Sequence, residues 1–161
     1  MKVEDIKLVV CDVDGTLTDG GMYVTEHGDH FKRFNAKDGM GAKILKQHGI
    51  ETAFLSHSTF GRMIKERAKM VGVELVYVGK ENKVKILQGW IEKLNIEMNQ
   101  VVFLGDDIND LGAMQATGLG VCPADAVRKV REQADHILSS NGGDACLREF
   151  VDDYLKLDPK R

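Results

Sequence analysis

The sequence predicts an α/β fold, a Rossmann-like three-layer sandwich with a mainly parallel sheet, and three observations carry that prediction. Short β-branched apolar runs alternate with segments of helical periodicity along the chain. The first of these runs, 6–11, is apolar but for Lys7 near its start, as a strand buried on both faces requires. Acidic and polar clusters follow the runs, where open parallel sheets bind their ligands.

The run 6–11 is short, β-branched and closed by a turn at Gly15, and reads as the first strand. Residues 22–25 and 30–34 flank Glu26-His27-Gly28-Asp29, a four-residue loop that makes a protruding β-hairpin, an insert of about 20–35. A helix over 36–48 follows, with Met40, Ile44 and Leu45 at helical spacing and Gly49 as its stop. Strand 50–55 leads to a helix capped by Ser58 or Thr59 and ended by Gly72, then to strand 74–78. Helices are expected over 82–94, 109–116 and 125–133, and strands over 101–104, 119–122 and 136–138. The chain closes with an amphipathic helix over 144–155, opened by Asn141-Gly142-Gly143. Right-handed crossovers would gather these strands into one sheet, and residues 1–161 are read as a single domain.

Composition narrows the function. With 43% apolar residues and 22 basic against 25 acidic ones, net charge −3, the chain suits a globular protein and disfavours generic nucleic-acid binding. Cys11, Cys122 and Cys146 are far apart and odd in number, so neither a disulfide framework nor a zinc site is expected. No apolar run is long enough for a membrane span or a signal segment, which makes the cytoplasm the expected location. Trp90 and Met114 read as core, and Arg62 and Arg67 as a solvated helix face.

The chemistry lies at the strand ends. Asp12 and Asp14, two carboxylates at i and i+2 followed by Gly15, would repel each other at the end of a buried strand. A divalent cation removes that cost, and Asp106 and Asp107 add hard oxygen ligands from another strand end, a set that suits Mg²⁺ bound together with phosphate. Lys83 can hold phosphoryl oxygens and the attacking carboxylate as a point charge. Ser56 and the backbone N–H groups from Asp14 to Thr16 can hydrogen-bond the remaining phosphate oxygens. A carboxylate in such a cluster can attack phosphorus while a second serves as acid and base. Spacing alone does not decide which of Asp12 and Asp14 does which.

Asp12-Val13-Asp14-Gly15-Thr16, Ser56, Lys83 and Gly105-Asp106-Asp107-Ile108-Asn109-Asp110, in that order, resemble the four motifs of the haloacid dehalogenase superfamily. The resemblance implies Asp12 as nucleophile and Asp14 as general acid/base. It also implies Ser56, Lys83 and Thr16 at the phosphate, and Mg²⁺ held by Asp12, the Asp14 backbone carbonyl and Asp106. Asp107 and Asp110 would orient that shell. Leu17-Thr18-Asp19-Gly20, the hairpin, Phe34-Asn35-Ala36-Lys37-Asp38-Gly39 and Asn141-Gly142-Gly143 with Arg148-Glu149 extend the likeness. They resemble the capless subfamily acting on 3-deoxy-D-manno-octulosonate 8-phosphate and on nonulosonate 9-phosphates. This implies a sugar-acid phosphate as substrate and a homotetramer in which a neighbouring subunit roofs the open site. His57, Ser58 and Arg148 are the candidates for contacts with the rest of the substrate or with that neighbour.

The sequence departs from the subfamily at two places. Ser56-His57-Ser58 stands where the octulosonate enzymes usually carry Thr/Ser-Gly-Arg, and Asp144-Ala145 follows Gly142-Gly143 where Arg/Glu-Gly is commoner. Two other classes fit the sequence less well. A phospho-accepting receiver module would need its aspartate after the third strand, but that strand runs into Val78-Gly79-Lys80. A non-catalytic oligomerisation domain would have lost Asp12 or Asp106, and both are present.

Overall fold

The computed structural model describes residues 1–160. Six strands, β1 (Leu8–Cys11), β4 (Glu51–Ser56), β5 (Leu75–Val78), β6 (Val101–Leu104), β7 (Leu119–Cys122) and β8 (His136–Ile137), form one sheet in the order β5-β4-β1-β6-β7-β8. Every pairing in it is parallel. β2 (Tyr23–Val24) and β3 (His30–Phe31) make a separate antiparallel hairpin between β1 and α1 (Ala36–Gln47).

Alternation along the strands divides the core into two layers. Val9, Cys11, Phe54, Val102 and Leu104 face one side, with Ile44 and Leu45 of α1, Ile64 and Ala68 of α2 (Gly61–Val71) and Leu147 of α6 (Cys146–Glu149). Leu8, Val10, Leu55, Val101 and Phe103 face the other, with Leu87 of α3 (Lys83–Leu94), Met114 of α4 (Leu111–Ala116) and Val130 of α5 (Arg128–Arg131). Successive side chains of a strand point to opposite faces, so strands covered on both must be apolar at every position. β1 and β6 are buried at all four positions. The chain runs outward from β1 through β4 to β5, then returns to β6 on the other side of β1. That reversal opens a crevice at the carboxyl end of β1, the place where such sheets bind ligands. Neither the β1 to β4 connection, which holds the hairpin and α1, nor that from β4 to α3, which holds α2 and β5, carries an inserted domain.

Several boundaries differ from the sequence reading. The hairpin strands are only two residues long, and Phe34 bridges back to Thr18 instead of extending β3. Met40 is exposed, because α1 turns its small residues toward α6: a Cβ at Gly41 would lie 3.3 Å from the Arg148 backbone. Neither Ser58 nor Thr59 caps α2. The Ser58 hydroxyl instead accepts from Phe60 N at 3.1 Å in a local turn, and the helix starts at Gly61. Arg67 leaves the solvated face, donating to the Asn35 carbonyl at 2.8 Å and covering the Phe34 ring. Met114 is buried as expected, while Trp90 is half-buried against its layer. The terminal helix begins at Cys146, two residues later than expected, and passes from α-helix in α6 to π-helix over Phe150–Tyr154. Among the described residues, no helix is long and apolar enough to cross a membrane.

Asp38 on the buried face of α1 accepts from Arg148 N at 3.0 Å, while its second oxygen has no partner among the described residues. Burial, only partly offset by that N–H and by Arg67, raises its pKa to about 6. The folded protein therefore binds a proton more tightly than the unfolded chain, whose aspartate titrates near its ordinary 3.8. The resulting stabilisation is full below the lower value and is lost as pH rises through about 6. Wild type is thus expected to gain roughly 1 kcal/mol over Asp38→Asn on going from pH 7 to pH 5. Urea unfolding of both proteins at the two pH values checks this; parallel profiles would remove Asp38 as the source.

Candidate active site

Asp12 is the residue after β1, and its N–H still pairs with the Leu104 carbonyl of β6 at 2.8 Å, so the strand ladder fixes where its carboxylate begins. The chain then winds through Val13–Leu17 with Gly15 at φ +93°. Glycine is required there twice over: by the left-handed backbone, and because a Cβ would lie 2.1 Å from Asp106 Oδ2. The turn is thereby pressed against the loop after β6.

Lys83 is the first residue of α3, whose N-terminus is capped by the Asn82 side chain accepting from Val84 N at 2.9 Å. Its ammonium lies 2.5 Å from Asp12 Oδ1 and 2.6 Å from Asp110 Oδ1 and is almost wholly buried, 5.7 Å from the Phe103 ring centre. Burial disfavours the charge, but Asp12 and Asp110 more than offset that and hold the lysine pKa above its usual range. The second oxygen of Asp110 accepts from Asp106 N at 3.0 Å and Asp107 N at 3.2 Å. Fully buried, Asp110 thus ties the lysine to the loop after β6.

Asp106 accepts from the Thr16 hydroxyl at 3.0 Å, and burial followed by repulsion from Asp110 raises its pKa to about 7. Burial and Asp110 push Asp12 well above the ordinary carboxylate range as well, against the pull of Lys83. Oxygens of Asp12, Asp106 and Asp110 lie within 4.8 Å of one another. One lysine does not balance three carboxylates, and the all-oxygen set fits a hard divalent cation. Of the three, Asp110 already has both oxygens engaged by Lys83 and two backbone N–H groups. Asp12 and Asp106 are the two left to bind a cation.

Asp14, two residues on, points into an open cleft of about 390 Å³, with the Ser56 hydroxyl 3.3 Å from its Oδ2. Ser56, His57, Ser58 and Asp107 line the same cleft. The His57 ring is held by the Glu81 carbonyl at 2.8 Å, and Asp107 caps the following turn through Ile108 N at 2.7 Å.

Two expected residues fall elsewhere. The Thr16 side chain is fully buried and its hydroxyl donates to Asp106, so it supports that carboxylate. Arg148 lies outside the cleft, its Nε 2.7 Å from both oxygens of Asp152 one helical turn on. Asp144, one of the departures, pairs with Arg33 at 3.3 Å and so ties the Asn141-Gly142-Gly143 segment to the hairpin.

Lys32, whose ammonium pairs with Asp14, is the cleft residue that sequence reasoning missed, together with Met22 and Phe60. Alternation could have found it: in the strand expected over 30–34, His30 and Lys32 fall on one face and Phe31 on the other.

A carboxylate held against a buried lysine at the switch point of a parallel sheet, with a hard-cation site beside it, is the arrangement of a phosphoryl-transfer enzyme. Residues 43–150 match the haloacid dehalogenase-like hydrolases, and the chain belongs to that family as a phosphoric monoester hydrolase. Among its relatives, the 3-deoxy-D-manno-octulosonate 8-phosphate phosphatase KdsC of Haemophilus influenzae is 35% identical over 99% of this chain and 88% of its own length. The enzyme of that name from Escherichia coli K12 is 34% identical over 94% and 80%. Two solved structures superpose with a TM-score of 0.90 each. The cobalt-bound phosphatase of Haemophilus influenzae has 35% identity and covers 97% of this chain and 91% of its own. The Moraxella catarrhalis enzyme, in complex with a magnesium ion, a phosphate ion and a KDO molecule, has 34% identity and covers 96% and 88%.

Proposed function

We propose that this phosphatase hydrolyses the terminal phosphate monoester of a 2-keto-3-deoxy sugar acid of the 3-deoxy-D-manno-octulosonate 8-phosphate type, through an aspartyl phosphate on Asp12. The observation that carries the chemistry is the Asp12, Lys83 and Asp106 cluster at the carboxyl end of β1. The named relatives, similar over nearly the whole chain, support the substrate class.

In the first step an Asp12 oxygen attacks phosphorus in line with the ester oxygen. The P–O bond to the sugar breaks, and the leaving oxygen takes a proton from Asp14. In the second step Asp14 takes a proton from a water that attacks the phosphoenzyme, releasing inorganic phosphate and restoring Asp12. Lys83 favours the ionised form of the nucleophile and opposes charge on the phosphoryl oxygens, while Ser56 at the cleft wall offers a hydroxyl. Asp12, the Asp14 backbone carbonyl and Asp106 would hold Mg²⁺, which supplies the positive charge that lets an anionic carboxylate approach an anionic phosphate. Thr16 and Asp110 hold Asp106 and Lys83 in place.

The cleft is open with Met22 in its wall, and Met22, Val24 and Phe31 of the hairpin are exposed apolar side chains. Both features support a homotetramer in which a neighbouring hairpin covers the site. The absence of an arginine at Ser58, with His57 turned to Glu81, favours testing the nine-carbon acids beside the eight-carbon one.

Steady-state rates with 3-deoxy-octulosonate 8-phosphate, a nonulosonate 9-phosphate and p-nitrophenyl phosphate, with and without Mg²⁺, test the reading. The octulosonate ester is expected to exceed the other two in kcat/KM by roughly 10²-fold, with activity lost on chelation. Comparable slow rates on all three would sink the sugar-acid assignment.

A further inference from the structure

Lys32 is foreign to the four motifs, yet it makes the only ion pair of Asp14 among the described residues. A lysine just past a two-residue hairpin strand ordinarily swings in water, whereas the Lys32 side chain is only 10% exposed. The hairpin that bears it is fastened on both sides of this position. Two residues before, the His30 ring stacks on Phe60 with centres 4.0 Å apart, joining the hairpin to the start of α2. On the other side Arg33 meets Asp144, and Asn35 Nδ2 donates to the Gly143 carbonyl at 3.2 Å. Lys32 is thus delivered to the cleft by a segment clamped at both ends.

Its partner needs such delivery. Asp14 is 39% exposed and otherwise held by one long hydrogen bond from Ser56, whose oxygen also accepts from Ser58 N. With Lys32 on Oδ1 and Ser56 on Oδ2, each carboxylate oxygen has one fixed partner from a different element. The carboxylate plane is set, and the side chain is kept apart from Asp12, whose bound partner is Lys83. We infer that Lys32 is a positioning residue, by which the hairpin of this same chain orients Asp14 for proton transfer to the leaving oxygen. The inference rests on the reading of Asp14 as acid and base. It gives the hairpin a role inside its own subunit, in addition to any contact with a neighbour.

The test exploits leaving-group chemistry. An alkoxide needs a proton as it departs, whereas p-nitrophenolate does not, so a mispositioned acid slows only the first. Alcohol release in the first turnover is measured for Mg²⁺-loaded wild type, Lys32→Met, Lys32→Arg, Asp14→Asn and the Lys32→Met/Asp14→Asn double variant, using the best alkyl phosphate and p-nitrophenyl phosphate. Lys32→Met is expected to slow the alkyl ester ~10²-fold and the nitrophenyl ester less than ~threefold, with half-saturating concentrations little changed. Arginine should restore most of the loss, and the double variant should be no slower than Asp14→Asn alone. Equal loss on both esters, or loss confined to half-saturation, overturns the inference and leaves a hairpin or substrate contact. If Asp14→Asn discriminates between the esters and Lys32→Met does not, the Lys32 role falls alone. If Asp14→Asn does not discriminate, the acid assignment falls and takes the Lys32 role with it.

Discussion

Asp12→Asn is expected to lower turnover by roughly 10⁴–10⁶-fold, the range seen when an enzyme loses its nucleophile. The amide keeps the shape of the carboxylate and an oxygen that can accept from Lys83, and the Asp12 backbone remains paired with Leu104. The fold should therefore survive. Removing the charge also relieves a buried repulsion with Asp110 and Asp106, so thermal stability without added metal should be unchanged or slightly raised. Quench-flow with a phosphate-labelled ester, followed by acid trapping, should capture a labelled protein from wild type and none from the variant. Retained turnover in Asp12→Asn would remove Asp12 as the attacking group, whatever the substrate.

Lys83→Met is expected to damage both stability and catalysis, because the lysine neutralises two carboxylates that have almost no access to water. Deleting one partner of a buried ion pair costs about 3–5 kcal/mol, since the remaining charge stays desolvated and unpaired. For a chain of this length that corresponds to a fall in Tm of about 10 °C. Arginine should not rescue, because a planar guanidinium does not fit the enclosed space of an ammonium. Two further measurements separate this cause from loss of packing. Adding Asp110→Asn to Lys83→Met should recover part of the stability, and saturating Mg²⁺ should raise the Tm of Lys83→Met more than that of wild type. If neither occurs, the methylene stem and not the charge is what matters.

The four motif positions were legible because each ends or follows a strand, and a parallel sheet places all its strand ends on one edge. Asp12, Ser56, Lys83 and Asp106 needed only chain order and periodicity to be gathered. Helix boundaries were less legible. Ser58 has the chemistry of a helix cap but spends its hydroxyl on a local turn, a competition that composition does not resolve. Met40 has helical spacing to Ile44 and Leu45, yet faces solvent because the close contact of α1 with α6 needs the glycine side of the helix.

By itself, then, the sequence determined the sheet, the family and the edge on which the chemistry sits, since all three follow from periodicity and from motif residues in a set order. The tertiary structure alone decided how the second set of contacts is shared out. Thr16 turned to Asp106, Arg148 closed on Asp152, Asp144 found Arg33, and Lys32 reached Asp14. These pairs lie between 4 and 111 residues apart, and three of the four join elements whose relative placement local pattern does not specify. Lys32 is the clearest case. Which way the residue after a two-residue hairpin strand turns depends on how the hairpin packs against Phe60 and the Gly143 loop, and that is settled only once the whole chain has folded.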